Sequence, residues 1–332
     1  MTPYYTEHNI YFGDSRKPTK IKDKSVQLIV TSPPYWQLKD YGADGQIKYD
    51  DTYEAYINNL NLVWTECYRV LSEGCRMCVN IGYQFARSAY YGRYKVIPIR
   101  DEIIRYCEAV GFDYMGSIIW QKATTMNTTG GASIMGSYLY PRNGIIKLDY
   151  EYILIFKKLG NSPEIKDEIK DESKLTKEEW NKYFYGHWNF PGAKKDSHIA
   201  PFPEELPKRL IKMFSFKNET VFDPFLGSGT TSLAALKLER NSVGYELNKD
   251  YKEIIYEKIN SGITIDCDGI VNIHDDDDSL FLSKIYIKNK LVYKYKDFVE
   301  LNRIKDPKEN TYGSVICMND KDKNIQKEDD LK

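Results

Sequence analysis

The sequence predicts an α/β sheet fold rather than a helical bundle or a sandwich, and two observations predict it. Short apolar runs alternate with helically spaced segments through most of the chain. The 332 residues, 42% of them hydrophobic, can bury a sizeable core in one large or two modest domains.

Val26 to Thr31 is an apolar run stopped by Pro33 and Pro34, a buried strand. Between Thr52 and Leu71, Tyr53, Ile57, Leu60, Val63, Cys67, Val70 and Leu71 recur at three-to-four spacing, one face of an amphipathic helix. Arg76 to Ile81 is the next strand, Ile99 to Val110 a helix ended by Gly111, and Tyr114 to Trp120 and Tyr150 to Phe156 are two further strands. From 157 to 195 the texture changes to nine Lys, seven acids and a late aromatic group, Trp180, Tyr183, Phe184, Tyr185 and Trp188. That composition predicts a surface insertion with at most one charged helix. The α/β pattern resumes at Pro203 with a helix to Phe214, a strand from Thr220 to Asp223, a glycine turn, and a helix to Leu238. A strand from Asn241 to Glu246 and a helix from Lys249 to Ile259 complete it. Beyond Gly262 the pattern is strand-like or irregular, with Asp275 to Asp278 as a solvated acidic loop and a disordered polar tail from Asn319.

The charge balance, 47 Lys+Arg against 48 Asp+Glu, excludes a globally basic nucleic-acid binder and leaves room for a local basic patch. Arg87, Arg93, Lys95 and Arg100 form one such cluster. The six cysteines are scattered. Cys75 and Cys78 make a C-x-x-C inside a strand with no second pair and no nearby His, so they are core thiols rather than a metal or disulfide pair. His274 with the acids after it does not match a calcium loop, and no metal site is expected. Without a basic leader or a run near the roughly 18 apolar residues of a membrane span, a soluble, cytoplasmic protein is expected, with no membrane partner.

Two motifs carry chemistry. Val221 to Thr231, V-F-D-P-F-L-G-S-G-T-T, sets a strand ending in an acid, a tight turn at Gly227 and Gly229, and a helix opening on hydroxylated residues. Such a turn aims backbone N–H groups and a helix N-terminus at an anionic or zwitterionic ligand. No Lys follows the second glycine, as a phosphate-binding loop requires, and the third glycine of G-x-G-x-x-G is missing. Glu246 ends the following strand, where a carboxylate can take the two hydroxyls of a ribose. The second motif, Ser32-Pro33-Pro34-Tyr35-Trp36, directly follows a strand. Its prolines stiffen the backbone and leave carbonyl acceptors beside the Ser32 hydroxyl, with aromatic faces adjacent. That arrangement suits an amino group on a planar base.

Together, Ser32 to Tyr35 and the later D-P-F-L-G-S-G-T-T of Asp223 to Thr231 resemble the amino-directed DNA methyltransferases that use S-adenosylmethionine. The order, catalytic motif first, resembles the circularly permuted beta class. Gly13-Asp14-Ser15, the A-P-F-P-E-E-L of Ala200 to Leu206, Trp120-Gln121-Lys122 and Glu151-Tyr152 extend the similarity over residues 9 to 260. The resemblance implies a Rossmann-like class I methyltransferase sheet, circularly permuted, with an inserted target-recognition segment. Its implied divisions are a catalytic part at 1–157, target recognition at 158–197, cofactor binding at 198–262, and a C-terminal extension at 263–332.

By the same resemblance, Phe225, Gly227 and Gly229, with Pro224 and Ser228 in the same turn, wrap the methionine part of the cofactor, with Thr230 and Thr231 near its carboxylate. Glu246 takes the ribose hydroxyls, Asp14 the adenine amino group, and Asp223 lies beneath and orients the turn. Ser32 and the Pro33 carbonyl accept from the target amino group, Pro34 completes the turn, and Tyr35 stacks on an extruded base. Trp36, Arg87, Arg93 and Lys122 are the expected DNA contacts, with Thr124 to Asn143 and the insertion as further candidates. A hydroxyl at the first position of the turn favours N4-cytosine, with N6-adenine as the alternative. RNA or protein substrates and a non-catalytic regulator stay open. No Pro-Cys occurs, against C5-cytosine chemistry. Expected partners are double-stranded DNA, a cognate restriction endonuclease and a second copy as a homodimer.

Overall fold

The computed structural model describes residues 5–36, 46–47, 51–85, 95–122, 139–193, 203–264 and 267–280, and the backbone of short strands at 293–294 and 314–315. Arg87, Arg93, His198, residues 123–138 and the tail from Asn319 lie outside the described residues.

Its elements are β1 (Tyr5–Gly13), β2 (Val26–Thr31), α1 (Tyr53–Val70), β3 (Leu71–Ile81), a two-strand ribbon of β4 (Gln84–Phe85) and β5 (Val96–Ile97), α2 (Ile99–Val110), β6 (Phe112–Lys122) and β7 (Tyr150–Lys158). Then come α3 (Asp167–Glu172), α4 (Lys177–Tyr183), β8 (His187–Phe190), α5 (Glu205–Phe214), β9 (Thr220–Asp223), α6 (Thr230–Lys237) and β10 (Asn241–Glu246). A 3₁₀ turn at Lys249–Tyr251 leads into α7 (Lys252–Asn260) and β11 (Asp268–Asp276). Nine strands form one sheet in the order β11-β1-β10-β9-β2-β3-β7-β6-β8. The first six are mutually parallel; β7 runs antiparallel to β3 and β6, and β8 is parallel to β6.

Period-two alternation sorts side chains to the two faces. Ile29 and Met77 pack with Trp64 of α1 and Ile103 of α2 on one face. Leu28, Val30 and Cys78 join Leu210 of α5 and Ala234 of α6 on the other. Each fully buried large side chain contributes about 1.5–3 kcal/mol by leaving water. The Thr52 hydroxyl caps α1 by accepting the Ala55 N–H at 3.1 Å. Gly111, at φ 118°, ends α2 in the left-handed conformation expected of a terminating glycine. Cys75 and Cys78 are buried on β3, and burial pushes the Cys75 thiol up to about 11, as core thiols require.

Three expectations need correction. β1 went unrecognised because its Y-T-E-H-N-I-Y-F-G mixes polar and apolar residues; its polar groups are bonded inside the sheet. His8 is buried between Thr6 Oγ1 at 2.9 Å and Ser242 Oγ at 2.8 Å, and desolvation lowers its pKa to about 4, which keeps it neutral. The segment from 157 to 195 is not a surface insertion with one helix. It holds two short helices and β8, which extends the central sheet, and Trp188 and Phe190 are core residues. Arg209 of α5 lies over the rings of Trp188 and Phe190 at 5.0 and 4.5 Å. Finally, Asp276 is not in a solvated loop: it ends β11 with 0% exposure.

The placement of α3 and α4 matters for function. Lys217, just before β9, pairs with Glu172 at 3.6 Å, its N–H donates to Ser173 Oγ, and Phe184 packs on Phe214. The helices therefore sit where the chain enters β9, at the opposite end of the strands from the turns that follow β2, β9 and β10. The stacked pair Trp180 and Phe184 is exposed at that end.

Candidate functional site

Parallel strands send every strand-to-helix turn to one edge, and a crevice opens where the sheet order reverses. Here the order runs β9-β10-β1 in one direction and β2-β3 in the other, so the reversal lies between β9 and β2. A cavity of about 140 Å³ opens at that edge, lined among others by Asp14, Arg16, Ser32, Pro34, Pro224, Phe225, Gly227, Tyr245, Glu246 and Tyr251. Both sequence motifs thus contribute to one cavity.

Asp223 lies beneath it. With 1% exposure, its Oδ1 accepts the Thr31 hydroxyl at 2.7 Å and the Phe225 N–H at 3.0 Å, while Oδ2 accepts the Thr231 hydroxyl at 2.6 Å. Burial raises its pKa to about 6 against these donors. Glu246 stands in the wall: Oε2 accepts the Gly227 N–H at 2.9 Å and Oε1 the Asn248 N–H at 2.8 Å. Desolvation lifts its pKa to about 7. A carboxylate offers about four lone-pair sites, so both oxygens keep capacity for a ligand's hydroxyls. A diol-accepting acid, the backbone turn at Gly227 (φ 57°) and apolar walls from Ile47, Phe225 and Tyr251 fit an adenosine-bearing zwitterion.

Other expected cofactor residues take different positions. Gly229, at φ 87°, faces α7; a Cβ there would meet Ile255 and Ile259 at 3.4 Å, so it permits helix packing rather than ligand approach. Ser228 Oγ accepts from Lys258 Nζ at 2.5 Å, Thr230 lies beside it, and Thr231 is bonded to Asp223. None of these four lines the cavity. Asp14 does, but its carboxylate receives Arg16 Nε at 3.0 Å on both oxygens and a second guanidinium nitrogen at 2.6 Å. Arg16, Tyr245 and Tyr251 are cavity residues that sequence reasoning missed. Position gave the available signal, since each lies within five residues of Asp14 or Glu246.

The turn after β2 is held from both sides. The Tyr56 hydroxyl donates to the Pro34 carbonyl at 2.8 Å. Tyr35 accepts the Gly82 N–H at 2.8 Å and bonds Glu151, and burial beside that carboxylate holds its phenol well above the usual range. Glu151 in turn accepts from Asn80 at 2.8 Å and from Lys122. Lys122 therefore sits near the turn, already paired. Trp36 departs from expectation: with 5% exposure, its indole N–H donates to the Asp51 carbonyl and its ring packs against Tyr53 at 5.1 Å, in the core rather than toward a substrate.

Residues 26–257 match the family model described as DNA methylase. The chain is 39% identical over 284 residues to the Type II methyltransferase M.MjaI of Methanocaldococcus jannaschii, covering 76% of this chain and 91% of that one. It is 33% identical to M.MthZI of Methanothermobacter thermautotrophicus, covering 78% of each. A Thermus thermophilus protein described as a putative DNA modification methylase, complexed with S-adenosyl-L-methionine, superposes with TM-score 0.67 at 34% identity, over 81% of this chain and 98% of that one. The PvuII cytosine-N4-specific DNA methyltransferase, 18% identical with TM-score 0.54 over 82% and 97% of the two chains, shares the fold. With its two motifs converging on one cavity, the chain belongs to the DNA methylase family and is an S-adenosylmethionine-dependent DNA methyltransferase.

Proposed function

We propose that the chain is a beta-class enzyme that methylates the N4 amino group of a cytosine extruded from duplex DNA, as the modification half of a restriction-modification pair. The observation that carries the reading is Ser32, a neutral acceptor at the head of the turn after β2, in the same cavity wall as Phe225, Gly227 and Glu246. The Type II methyltransferase names of its relatives support the restriction-modification context.

An exocyclic amino nitrogen is a poor nucleophile because its lone pair is delocalised into the ring. Ser32 Oγ and the Pro33 carbonyl hold the two amino protons, which localises that pair on nitrogen, and positioning supplies much of the remaining rate. S-adenosylmethionine supplies a methyl group on an activated sulfonium. The amino nitrogen bonds the methyl carbon as the carbon–sulfur bond breaks, the bonding pair stays on sulfur, and one amino proton leaves to solvent. Glu246 would hold the ribose hydroxyls, Asp14, already held by Arg16, would border the adenine edge, and Phe225 and Gly227 would border the methionine part. The Glu151 and Gly82 bonds to Tyr35 keep its ring edge fixed beside the extruded base.

The test incubates the protein with methyl-labelled S-adenosylmethionine and duplex DNA, then digests the DNA and identifies the labelled nucleoside. N4-methylcytosine is expected. N6-methyladenine overturns the cytosine assignment, and label found only in RNA or protein overturns the DNA reading.

A further inference from the structure

We propose that Asp276 is a positioning residue for the cofactor cavity, which makes β11, outside residues 26–257, a structural part of that site. The proposal rests on the reading that this cavity holds S-adenosylmethionine.

The Asp276 carboxylate accepts the Tyr245 hydroxyl at 2.6 Å, the Thr19 hydroxyl at 2.6 Å and the Thr19 N–H at 3.2 Å. Its main-chain carbonyl accepts the Ser279 hydroxyl at 2.6 Å, and Ser279 Oγ in turn accepts the Asp14 N–H at 2.8 Å. Tyr245 and Asp14 both belong to the cavity wall. One buried acid thus fixes the wall contributed by β10 and the loop after β1, a loop with no helix or strand of its own. Packing closes the same joint. A Cβ on Gly13 would lie 2.4 Å from Ser279 Oγ and 3.0 Å from Asp276 Cβ, so no side chain fits there. On the sheet, His274, Tyr11 and Tyr245 stack in a row across β11, β1 and β10, with centroids 5.0 and 5.4 Å apart. Charge-assisted bonds to a buried carboxylate are stronger than neutral ones, and removing the charge loosens all of them together.

The experiment measures S-adenosylmethionine binding calorimetrically to the full chain carrying Asp276→Asn, Ser279→Ala or Tyr245→Phe, alongside steady-state kinetics on DNA and thermal melts. Asp276→Asn is expected to weaken cofactor binding about tenfold and to raise KM for the cofactor in parallel, with the loss in KM rather than kcat. Adding Tyr245→Phe to it costs less than the sum of the two, because both act through one bond. Unchanged affinity in folded Asp276→Asn and Ser279→Ala proteins, with only a lowered Tm, overturns the proposal. Phe225→Ala separates the two readings. If it abolishes binding while Asp276→Asn does not, only the role of Asp276 fails; if neither affects binding, the cavity assignment fails as well.

Discussion

The Thr31 hydroxyl donates to Asp223 Oδ1 at 2.7 Å, joining the strand that carries the target-amine turn to the strand that carries the cofactor turn across 192 positions of sequence. That buried bond pins the ends of two strands already paired in the sheet, Leu28 with Val221 and Ile29 with Phe222. Thr31→Val keeps the volume and leaves that oxygen with one donor fewer. It is expected to cost about 1–3 kcal/mol in denaturant unfolding and to lower kcat more than it raises either KM.

Ser32→Ala removes a side-chain acceptor proposed to touch the target amine. Methyl transfer is expected to fall about 10²–10³-fold while calorimetric cofactor affinity stays within about twofold. Tyr35→Phe breaks the bonds to Gly82 and Glu151 and should lower kcat in the same direction by less. Loss of cofactor binding in both variants would mean the turn belongs to the cofactor and not to the base.

Glu246 sets a pH dependence. Its folded pKa of about 7 exceeds the unfolded carboxylate value of 4.5, so the native state binds more protons between those two values and stability falls as pH rises through that window. The contribution lost is on the order of 3 kcal/mol. Cofactor binding runs the other way, since the ionised acid is the better acceptor of ribose hydroxyls, and affinity should rise from about pH 6 to about pH 8. Glu246→Gln should flatten both curves, measured by urea melts and calorimetry across the range.

The two glycines of the cofactor turn should separate by phenotype. Gly229→Ala forces a Cβ into a left-handed backbone against Ile255 and Ile259, with an expected cost of about 1–2 kcal/mol and cofactor affinity retained in the folded protein. Gly227→Ala sits in the cavity wall and should lose affinity. Equal losses of binding would place Gly229 at the ligand after all.

Two tryptophans of the segment from 157 to 195 make a contrasting pair. Trp188→Ala opens the core beneath β8 and is expected to cost about 3–5 kcal/mol. Trp180→Ala, at a residue 56% exposed on the far end of the sheet, should leave DNA affinity unchanged in a gel-shift titration.

What sequence could show depended on how far each residue's environment follows from its neighbours. Thr220–Asp223, Asn241–Glu246 and Ile99–Val110 matched residue for residue, because each is a locally consistent run with a clear stop. β1 stayed hidden since Thr6, His8 and Asn9 each bond a partner in β10 or β11, more than two hundred residues away. The motif residues reached the right edge of the sheet, yet Gly229, Thr231 and Trp36 turn inward. A motif fixes which residue types stand together; the packing of α7 against the turn and of α1 against Trp36 decides which of them meet a ligand. Asp276 looked like one acid among four, and only tertiary structure shows that it is the dehydrated one.

The position of β1 between β10 and β11 has a consequence for biosynthesis. Once made, β1 finds neither of its lateral neighbours until Asn241 and then Asp268 have been added. At ribosomal rates of about 5–20 residues per second, both its edges stay bare for roughly 10–50 s. Bare strand edges recruit other chains, so the nascent protein depends on shielding during that interval, and crowded overexpression or abrupt dilution from denaturant should favour aggregates. Because Tyr245, Glu246 and Tyr251 of the cavity are missing before then, a chain terminated ahead of β10 is expected to lack a complete cofactor pocket and to be unable to modify DNA.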